Sequence, residues 1–243
     1  MTSFLVTGGT SGPGRPLVQR LRDLGHDVRV LSRRQGTGQV VGDLDRNIGL
    51  DAAVADVDVV VHLASNRRKD IAGTKRLLQV AQAAGVGHLV FLSIVGVDII
   101  PYAYYRDKVA NEQAIAASGL PFTVLRATQF HSFPGEILAM LGGHVFLDLP
   151  IQSIGVVDVA ARLAELSTSA PAGRVADIGG PEILQTRDIL ERLQRAGRAK
   201  RRVLFVRVPG KTVREFRAGR HTTGLPGYGT QTFDEWLASG ADK

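Results

Sequence analysis

Short apolar segments alternate with amphipathic helical patterns through the first half of the chain. The apolar segments predict strands at 3–6, 28–31, 40–41, 58–63, 88–94 and 122–125, and recurrence of apolar residues every three or four positions predicts helices at 17–24, 48–54, 71–84 and 104–117. Parallel neighbouring strands need crossover connections, and these crossovers cover both faces of the sheet. The pattern therefore predicts an α/β fold, a doubly wound parallel sheet with helices on both faces.

The regular alternation of predicted strands and helices ends after Thr128. Helical patterns follow at 156–166 and 186–196, strand patterns at 175–178 and 203–208, and a last apolar segment at 233–237. The sequence has no internal repeat and no low-complexity linker. We therefore expect a single domain, with a Rossmann core in 1–128 and a mainly substrate-binding extension in 129–243 packed on that core.

Composition narrows the class of protein. The chain has 243 residues, 44% of them hydrophobic, which is enough for one substantial core. It has no cysteine, and its six histidines show no paired spacing, so we expect neither thiol chemistry nor a metal site. No segment resembles a signal peptide or a membrane span, which favours a cytoplasmic protein without a membrane partner.

Positive charge is concentrated in one region of the second half. Residues 192–220 carry eleven Lys or Arg against the single acid Glu215, within a chain of net charge +7. A solvated surface explains this excess, and an attractor for an anionic substrate or for cofactor phosphates is the alternative. No aromatic residues interleave with the charges in a nucleic-acid motif, so no nucleic-acid partner is expected.

The segment TGGTSGPGR, residues 7–15, contains four glycines directly after the first predicted strand. Glycine permits positive φ angles and lets a ligand approach the bare backbone. The amides at the start of the following helix favour a phosphate, so the segment is typical of a dinucleotide cradle. A tight strand-to-helix turn is the alternative, and Pro13 fits either interpretation because it presets φ at a helix start.

The second predicted strand ends in Leu31-Ser32-Arg33-Arg34, without an acidic residue. In dinucleotide-binding folds an acid at this point selects the 2′-hydroxyl of the adenosine ribose, whereas guanidinium groups suit a 2′-phosphate. We therefore expect NADP(H) rather than NAD(H), unless Arg33 and Arg34 are merely solvated. Asp43, in the sequence GDL, is placed to accept from the adenine amino group or to cap the next helix.

Tyr104 and Lys108 stand four residues apart in a predicted helix that follows the fifth strand. This spacing puts both side chains on one helix face. A phenol is a poor base at neutral pH, and a neighbouring ammonium favours its ionised form. The pair is therefore a candidate for moving the proton that accompanies hydride transfer.

Seven segments together resemble the short-chain dehydrogenase/reductase superfamily, and within it the atypical NmrA-like, NAD(P)-binding subgroup. They are TGGTSGPGRPLV, GDL, HLVFLSIVGVD, YYRDK, GLPFTVLRATQFH, VVDVA and DIGGPE. The resemblance implies a Rossmann fold, bound NADP(H), Tyr104 as proton donor and Lys108 as its orienting partner. It also implies that the segment after the fourth strand passes beside the cofactor and that residues 127–131 line the nicotinamide and substrate side.

The expected cofactor-binding residues are Thr7, Gly8, Thr10, Ser11, Gly12, Pro13, Gly14, Arg33, Arg34, Asp43, Leu44, Ala64, Ser65, Asn66, Lys108 and Ala127. Ser11 stands where the subgroup usually has a glycine, and its hydroxyl is an extra donor. Ser93 is the candidate for the superfamily's catalytic serine, with a strand-end residue touching the cofactor as the alternative. Tyr102, Phe130 and His131 are the candidate substrate residues, and a packed histidine in an aromatic cluster is the alternative for His131.

These residues support an NADPH-dependent oxidoreductase that reduces a carbonyl or similar unsaturated small molecule, as a monomer or homodimer. Two alternatives share the fold. One is a regulatory protein that senses NADP(H) without turnover, and the other is an epimerase-type enzyme with a retained cofactor.

Overall fold

The computed structural model describes residues 1–65, 70–200 and 202–240. Its strands are β1 (Ser3–Thr7), β2 (Asp27–Ser32), β3 (Gln39–Val41), β4 (Val59–His62), β5 (His88–Ile94), β6 (Phe122–Ala127), β7 (Val145–Leu147), β8 (Pro150–Ile151), β9 (Gly173–Arg174), β10 (Leu184–Gln185) and β11 (Leu204–Val206). Its helices are α1 (Gly14–Asp23), α2 (Leu50–Val54), α3 (Asp70–Ala83), α4 (Ala103–Ala116), α5 (Phe133–Met140), α6 (Val156–Ser167), α7 (Thr186–Arg195), α8 (Lys211–Arg217) and α9 (Phe233–Ser239).

Seven strands form one sheet in the order β3-β2-β1-β4-β5-β6-β9. The sheet is parallel and flanked by helices, so the predicted α/β fold is confirmed. From β1 the chain first forms β2 and β3 on one side of this strand. It then crosses over and forms β4, β5 and β6 on the other side of β1. Ligands of such sheets bind beyond the carboxyl ends of the strands, at the point where the order reverses. The glycine-rich segment follows β1 and therefore lies at this point.

Contacts divide the chain into two compact units. Unit 1 comprises residues 1–93, 103–126 and 159–176. One cluster of buried side chains joins one face of the sheet to the helices of that face, and this cluster includes Leu5, Val60, Leu89, Leu77 and Ile115. The continuous apolar sequence of β4 is explained by burial of all four of its residues.

Unit 2 comprises residues 94–102, 127–158 and 177–240 of the described chain. It contains two small sheets, an antiparallel pair of β8 with β10 and a parallel pair of β7 with β11. Ile151, Ile189, Leu193, Phe233 and Trp236 form one buried cluster. The apolar segment at 233–237 is thus part of helix α9, which packs Phe233 and Trp236 into the core of this unit.

Three local predictions differ from the structure. The strand expected at 175–178 is wrong, because the strand is Gly173–Arg174 and only an isolated bridge at Ile178 follows it. The amide of Val175 still donates to Val124 O, but Ala176 and Asp177 leave the ladder. The helix expected from residue 48 begins at Leu50, because Gly49 before it is left-handed with φ 68°. The strand expected at 203–208 is limited to β11.

The predicted boundary after Thr128 remains a prediction, as does a substrate-binding role for the second half. Within the ranges that the structure describes, no helix is long and apolar enough to cross a bilayer. The same ranges contain no group of three His, Cys, Asp or Glu side chains placed to hold a metal ion.

Candidate active site

The glycines of the loop after β1 have two separate uses. Gly8 has φ +74°, and a Cβ atom there would lie 2.8 Å from the amide nitrogen of Ala64. A Cβ on Gly14 would collide with the carbonyl oxygen of Gly8. Gly12 also has a positive φ, +50°, but nothing lies within 4 Å of the position of its Cβ. Gly8 and Gly14 therefore allow the turn to close, while Gly12 leaves open space beside the backbone.

The middle of this loop exposes amide donors. Residues Thr10, Ser11 and Gly12 are exposed, and within the described chain their N–H groups donate to no backbone carbonyl. Helix α1 begins after Pro13, whose carbonyl accepts from Leu17 N at 3.1 Å. Free amides beside the N-terminus of a helix bind phosphate groups. The loop therefore fits both interpretations. Gly8 and Gly14 allow the tight turn, and the open amides near Gly12 suit a phosphate group.

A buried hydrogen-bond network ties this loop to β4 and α3. Thr7 Oγ1 accepts from the amides of Leu63 and Ala64, both at 3.2 Å, so its own hydrogen points to His62 Nδ1 at 2.7 Å. His62 Nε2 therefore carries the ring proton and donates to Thr74 Oγ1 at 3.1 Å. The network fixes the course of the segment that leaves β4.

His62 is neutral in this network. Burial, and next the positive charge of Lys108, lower the pKa of His62 from 6.5 to about 3. The sequence analysis missed His62 and Thr74. A signal for His62 was available, namely a polar residue within a strand that otherwise contains only valines.

The structure brings Tyr104 and Ser65 together. The Ser65 hydroxyl, on the segment after β4, shares a hydrogen bond with the phenolic oxygen of Tyr104 at 3.0 Å. Lys108 lies one turn further along α4 and is only 4% exposed. Its Nζ atom lies 4.9 Å from the centre of the Phe91 ring and 5.9 Å from that of Tyr104. A phenol, a hydroxyl and a buried ammonium thus form one cluster in unit 1. Asn66, expected beside them, lies outside the described residues.

Two buried polar side chains, one on β5 and one on α4, lack a hydrogen-bond partner within the described chain. Ser93 Oγ, at the end of β5, and Asn111 Oδ1, three residues after Lys108 on α4, have no hydrogen-bond partner. Their side chains are 2% and 1% exposed. Buried polar atoms of this kind are normally satisfied by a bound water or ligand. The catalytic role of Ser93 remains a prediction, and Asn111 is a residue that the sequence analysis missed.

The residues expected at the adenosine end lie after β2 and β3. Arg33 and Arg34 are exposed, and no carboxylate of the described chain is within ion-pair distance of either. Asp43 Oδ1 accepts from the amides of Asp45 and Arg46, so Asp43 caps the turn after β3. The alternative that it caps the next helix is wrong, because α2 begins after Gly49. Leu44, also expected here, has a half-buried side chain and accepts from a guanidinium through its carbonyl oxygen.

The candidate substrate residues belong to unit 2. Tyr102 is exposed and Phe130 is half-buried, whereas Ala127, which is expected to bind the cofactor, pairs with Ile178. His131 is 2% exposed, and its Nε2 donates to Gln231 O at 3.0 Å. The alternative of a packed histidine fits these contacts.

Two further observations describe the surroundings of His131. Its Nδ1 accepts from the Ser153 hydroxyl at 2.8 Å, and its ring lies against Phe233 and Trp236. Burial lowers the pKa of His131, so the ring is neutral. A direct contact of His131 with substrate stays a prediction.

The strand order, the loop of open amides and the tyrosine–lysine pair define a dinucleotide-binding α/β enzyme. The chain belongs to the NAD(P)H-binding family, whose model matches residues 8–168. It is 32% identical to a (4-alkanoyl-5-oxo-2,5-dihydrofuran-3-yl)methyl phosphate reductase of Streptomyces griseus, over an alignment that covers 98% of each chain. It is 28% identical to a chloroplastic divinyl chlorophyllide a 8-vinyl-reductase of Oryza sativa, which it matches over 86% of its own length and 61% of the relative's.

Solved structures agree with this fold. An NADPH-dependent quinone oxidoreductase of Escherichia coli, solved with NADPH, superposes with a TM-score of 0.76 at 16% identity, covering 97% of this chain and 99% of that one. A short-chain dehydrogenase/reductase superfamily protein of Agrobacterium tumefaciens with bound NAD gives 0.71 at 21%, covering 98% and 95%.

The fold and the NAD(P)-binding character that the sequence resemblance implies are confirmed, and so is the predicted nicotinamide cofactor. The chain is an NAD(P)-dependent oxidoreductase. The oligomeric state and the cytoplasmic location remain predictions.

Proposed function

We propose that this oxidoreductase uses NADPH to reduce a carbonyl group or a carbon–carbon double bond conjugated to one, with Tyr104 as proton donor. The observation that carries the proposal is the cluster of Ser65, Tyr104 and Lys108, in which the two hydroxyls are 3.0 Å apart beside a buried ammonium. NADPH supplies the hydride when it is bound.

The residues present fit the phosphates of this cofactor. The open amides of Thr10, Ser11 and Gly12 suit the pyrophosphate, and the space beside Gly12 allows its approach. The guanidinium groups of Arg33 and Arg34, which have no carboxylate partner among the described residues, suit a 2′-phosphate on the adenosine ribose. These contacts favour NADPH over NADH.

The protein's part in the chemistry is to supply a proton and to stabilise the group that loses it. Tyr104 OH donates to the substrate oxygen or carbon as negative charge develops there. The buried ammonium of Lys108 favours the resulting phenolate, because opposite charges stabilise each other. The Ser65 hydroxyl supplies a hydrogen bond that orients the phenol and then stabilises the phenolate.

For the substrate we propose a small unsaturated carbonyl compound that carries a phosphate ester. The support is the full-length similarity to the Streptomyces griseus reductase, whose named substrate is a phosphate ester of a ring with a double bond conjugated to a carbonyl. The excess of positive charge in residues 192–220 is compatible with such an anion.

Replacement of Tyr104 by Phe tests the proposal. We expect a loss of at least about 100-fold in the rate of NADPH oxidation, because acid–base catalysis contributes about 100- to 10,000-fold. NADPH binding, followed by fluorescence, should stay unchanged. The matched control is Tyr228→Phe, at a partly exposed tyrosine of unit 2. Unchanged turnover in the Tyr104 variant would contradict the proposed role, and an absence of turnover in the wild-type protein with any unsaturated carbonyl would favour a sensor.

A further inference from the structure

Three side chains on neighbouring strands lie in one row across the sheet of unit 1. Thr7 on β1 pairs with His62 on β4, and His62 pairs in turn with Phe91 on β5. Residues in register on adjacent strands point to the same face of a sheet. The rings of His62 and Phe91 lie 5.6 Å apart, centre to centre. The row therefore runs from the strand that precedes the glycine-rich loop to the ring of Phe91.

Helix α4 covers the Phe91 end of this row. Its buried residues, three or four positions apart, are Tyr105, Lys108, Asn111 and Ile115. Ile115 belongs to the same buried cluster as Phe91. Helical spacing of this kind places the four side chains on one face of the helix, where apolar residues are the rule. Lys108, only 4% exposed, therefore carries its ammonium into the contact between α4 and the sheet.

The ring of Phe91 supplies one of the contacts that such an ammonium needs. Removal of a charge from water is unfavourable unless nearby groups compensate for the lost hydration. Lys108 Nζ lies 4.9 Å from the centre of the Phe91 ring, closer than to the centre of the Tyr104 ring at 5.9 Å. The face of an aromatic ring carries partial negative charge and attracts a cation within about 6 Å, most strongly where water is excluded. Phe91 is 1% exposed, so its ring meets this condition.

His62 is neutral and does not compete with Lys108 for this ring. Thr7 donates to its Nδ1 atom and its Nε2 atom donates to Thr74, so the imidazole holds a single ring proton. Burial, and next the charge of Lys108, lower the pKa of His62 to about 3. An imidazolium here would repel the ammonium and would itself be attracted to the aromatic ring. The three side chains of the row thus present an aromatic face to Lys108 without a charge of their own.

We propose that Phe91 is a positioning residue for Lys108, and that its ring holds the ammonium beside Tyr104 through a cation–π contact. The inference deepens the proposed function and rests on it, because this ammonium is the group that favours the phenolate of Tyr104. A lysine side chain has a flexible four-carbon stem. The ring selects those conformations in which the charge lies near the phenol. Phe91 acts in this role through Lys108 and not by contact with substrate or cofactor.

Fluorinated phenylalanines at position 91 test the contact without a change of fold. Difluoro- and trifluorophenylalanine are introduced there by suppression of a stop codon. Fluorine withdraws electrons from the ring face, so it weakens a cation–π contact but leaves the ring in place. The substrate is a (4-alkanoyl-5-oxo-2,5-dihydrofuran-3-yl)methyl phosphate, at saturating NADPH. We expect kcat to fall with each added fluorine, by about 10-fold in the trifluoro protein. Equal kcat values in the wild-type and trifluoro proteins would overturn the proposal.

The same analogues at Phe4 are the matched control. Phe4 is a fully buried phenylalanine on β1 of the same unit, and within the described chain no ammonium or guanidinium group lies over its ring. Fluorination of Phe4 should leave kcat unchanged. An equal fall at both positions would assign the effect to packing and would overturn the proposal.

Magnetic resonance separates failure of this contact from failure of the proposed function, because it needs no turnover. In wild-type protein with isotopically labelled lysine and phenylalanine, the Cε protons of Lys108 should show cross-relaxation with the ring protons of Phe91. They should also resonate upfield of those of the other lysines, because they lie near the ring face. Lys108→Met assigns the lysine signals, and the trifluoro protein, which retains few ring protons, assigns those of Phe91.

Each outcome of the two measurements is decisive. Should the wild type not reduce the phosphate, the proposed function fails, and the spectra still decide whether Phe91 holds the ammonium. Absence of the cross-relaxation in the wild type overturns the contact, even where turnover is observed. Cross-relaxation in the wild type together with a fall in kcat that only fluorination at position 91 causes supports the proposal.

Discussion

The hydroxyl of Thr7 donates to Nδ1 of His62 at 2.7 Å, and this contact joins the end of β1 to the end of β4. The same oxygen accepts from the amides of Leu63 and Ala64, so one buried hydroxyl satisfies three groups. The glycine-rich loop after β1 and the segment after β4 are thereby held next to each other. Ser65, the partner of Tyr104, follows directly on that segment.

Replacement of Thr7 by Val keeps the shape of the side chain and removes all three hydrogen bonds. We expect the free energy of unfolding to fall by about 2 kcal/mol, because the Ala64 amide and His62 Nδ1 lose their partner, whereas the Leu63 amide keeps the carbonyl oxygen of Thr7 at 3.1 Å. Urea denaturation measures this change. Thr168→Val is the control, since the hydroxyl of Thr168 donates to the carbonyl oxygens of Ala164 and Glu165 in the last turn of the preceding helix α6. A similar loss in both variants would contradict the prediction.

Because His62 is neutral in the folded protein, the free energy of unfolding should decrease as the pH falls. Its pKa is about 3 in the folded protein and 6.5 in the unfolded chain, so between these values the unfolded chain takes up a proton that the folded protein does not. Stability is therefore complete above pH 6.5 and decreases as the pH falls, by about 2 kcal/mol between pH 7 and pH 5 from His62 alone.

Urea denaturation at both pH values, on the wild type and on His62→Gln, checks this dependence. The variant should lose less stability between pH 7 and pH 5 than the wild type, with a remaining decrease from His221, whose pKa burial lowers to about 4. His144→Gln, at an exposed position, should keep the wild-type dependence. Identical slopes in the wild type and His62→Gln would refute the assignment of a neutral His62.

Removal of the Ser65 hydroxyl should affect the chemical step. In Ser65→Ala we expect kcat to fall about 5- to 10-fold, the equivalent of one hydrogen bond to the phenol. Steady-state kinetics at saturating NADPH measure this constant. Ser169→Ala, at an exposed serine that bonds only to its own helix, is the control, and an unchanged kcat in Ser65→Ala would show that the contact with Tyr104 has no part in the reaction.

Arg33 and Arg34 should determine which cofactor is used. In the double variant Arg33→Gln/Arg34→Gln we expect KM for NADPH to rise about 100-fold and KM for NADH to stay the same, because only NADPH carries the 2′-phosphate. Arg20→Gln, an exposed arginine on α1, should change neither constant. Equal increases for both cofactors would contradict the assignment.

Replacement by alanine should affect stability and NADPH binding differently at two glycines of the loop. Gly12→Ala places its Cβ in open space and costs about 1 kcal/mol, because only the positive φ is unfavourable. It should fold and bind NADPH weakly, since the methyl group occupies the approach to the amides. In Gly14→Ala the methyl group meets the backbone of Gly8 and Gly9, and we expect a loss of about 3 kcal/mol. Urea denaturation and NADPH titration of both variants make the comparison, and equal stabilities would contradict it.

Several parts of the fold and site are predictable from local pattern. The bounds of β5 match the sequence prediction, and those of α3 and α4 differ by one residue at each end, because these elements carry continuous apolar or helical periodicity. The short elements α5, β7, β8, β10 and α8 have no such signal. In the second half, packing rather than periodicity determines where a strand of two or three residues forms. The shift of the expected strand at 175–178 to Gly173–Arg174 has the same cause.

The sequence by itself determined the α/β class, the glycine-rich loop after β1 and the pairing of Tyr104 with Lys108, because each depends on residues close together in the chain. Only the tertiary structure decided that Ser65 contacts Tyr104, that Thr7 orients His62, and that Lys108 lies over the ring of Phe91. These contacts join residues that are far apart in the chain, 55 positions in the case of Thr7 and His62. Their formation depends on how strands and helices pack, which no local pattern of residues records.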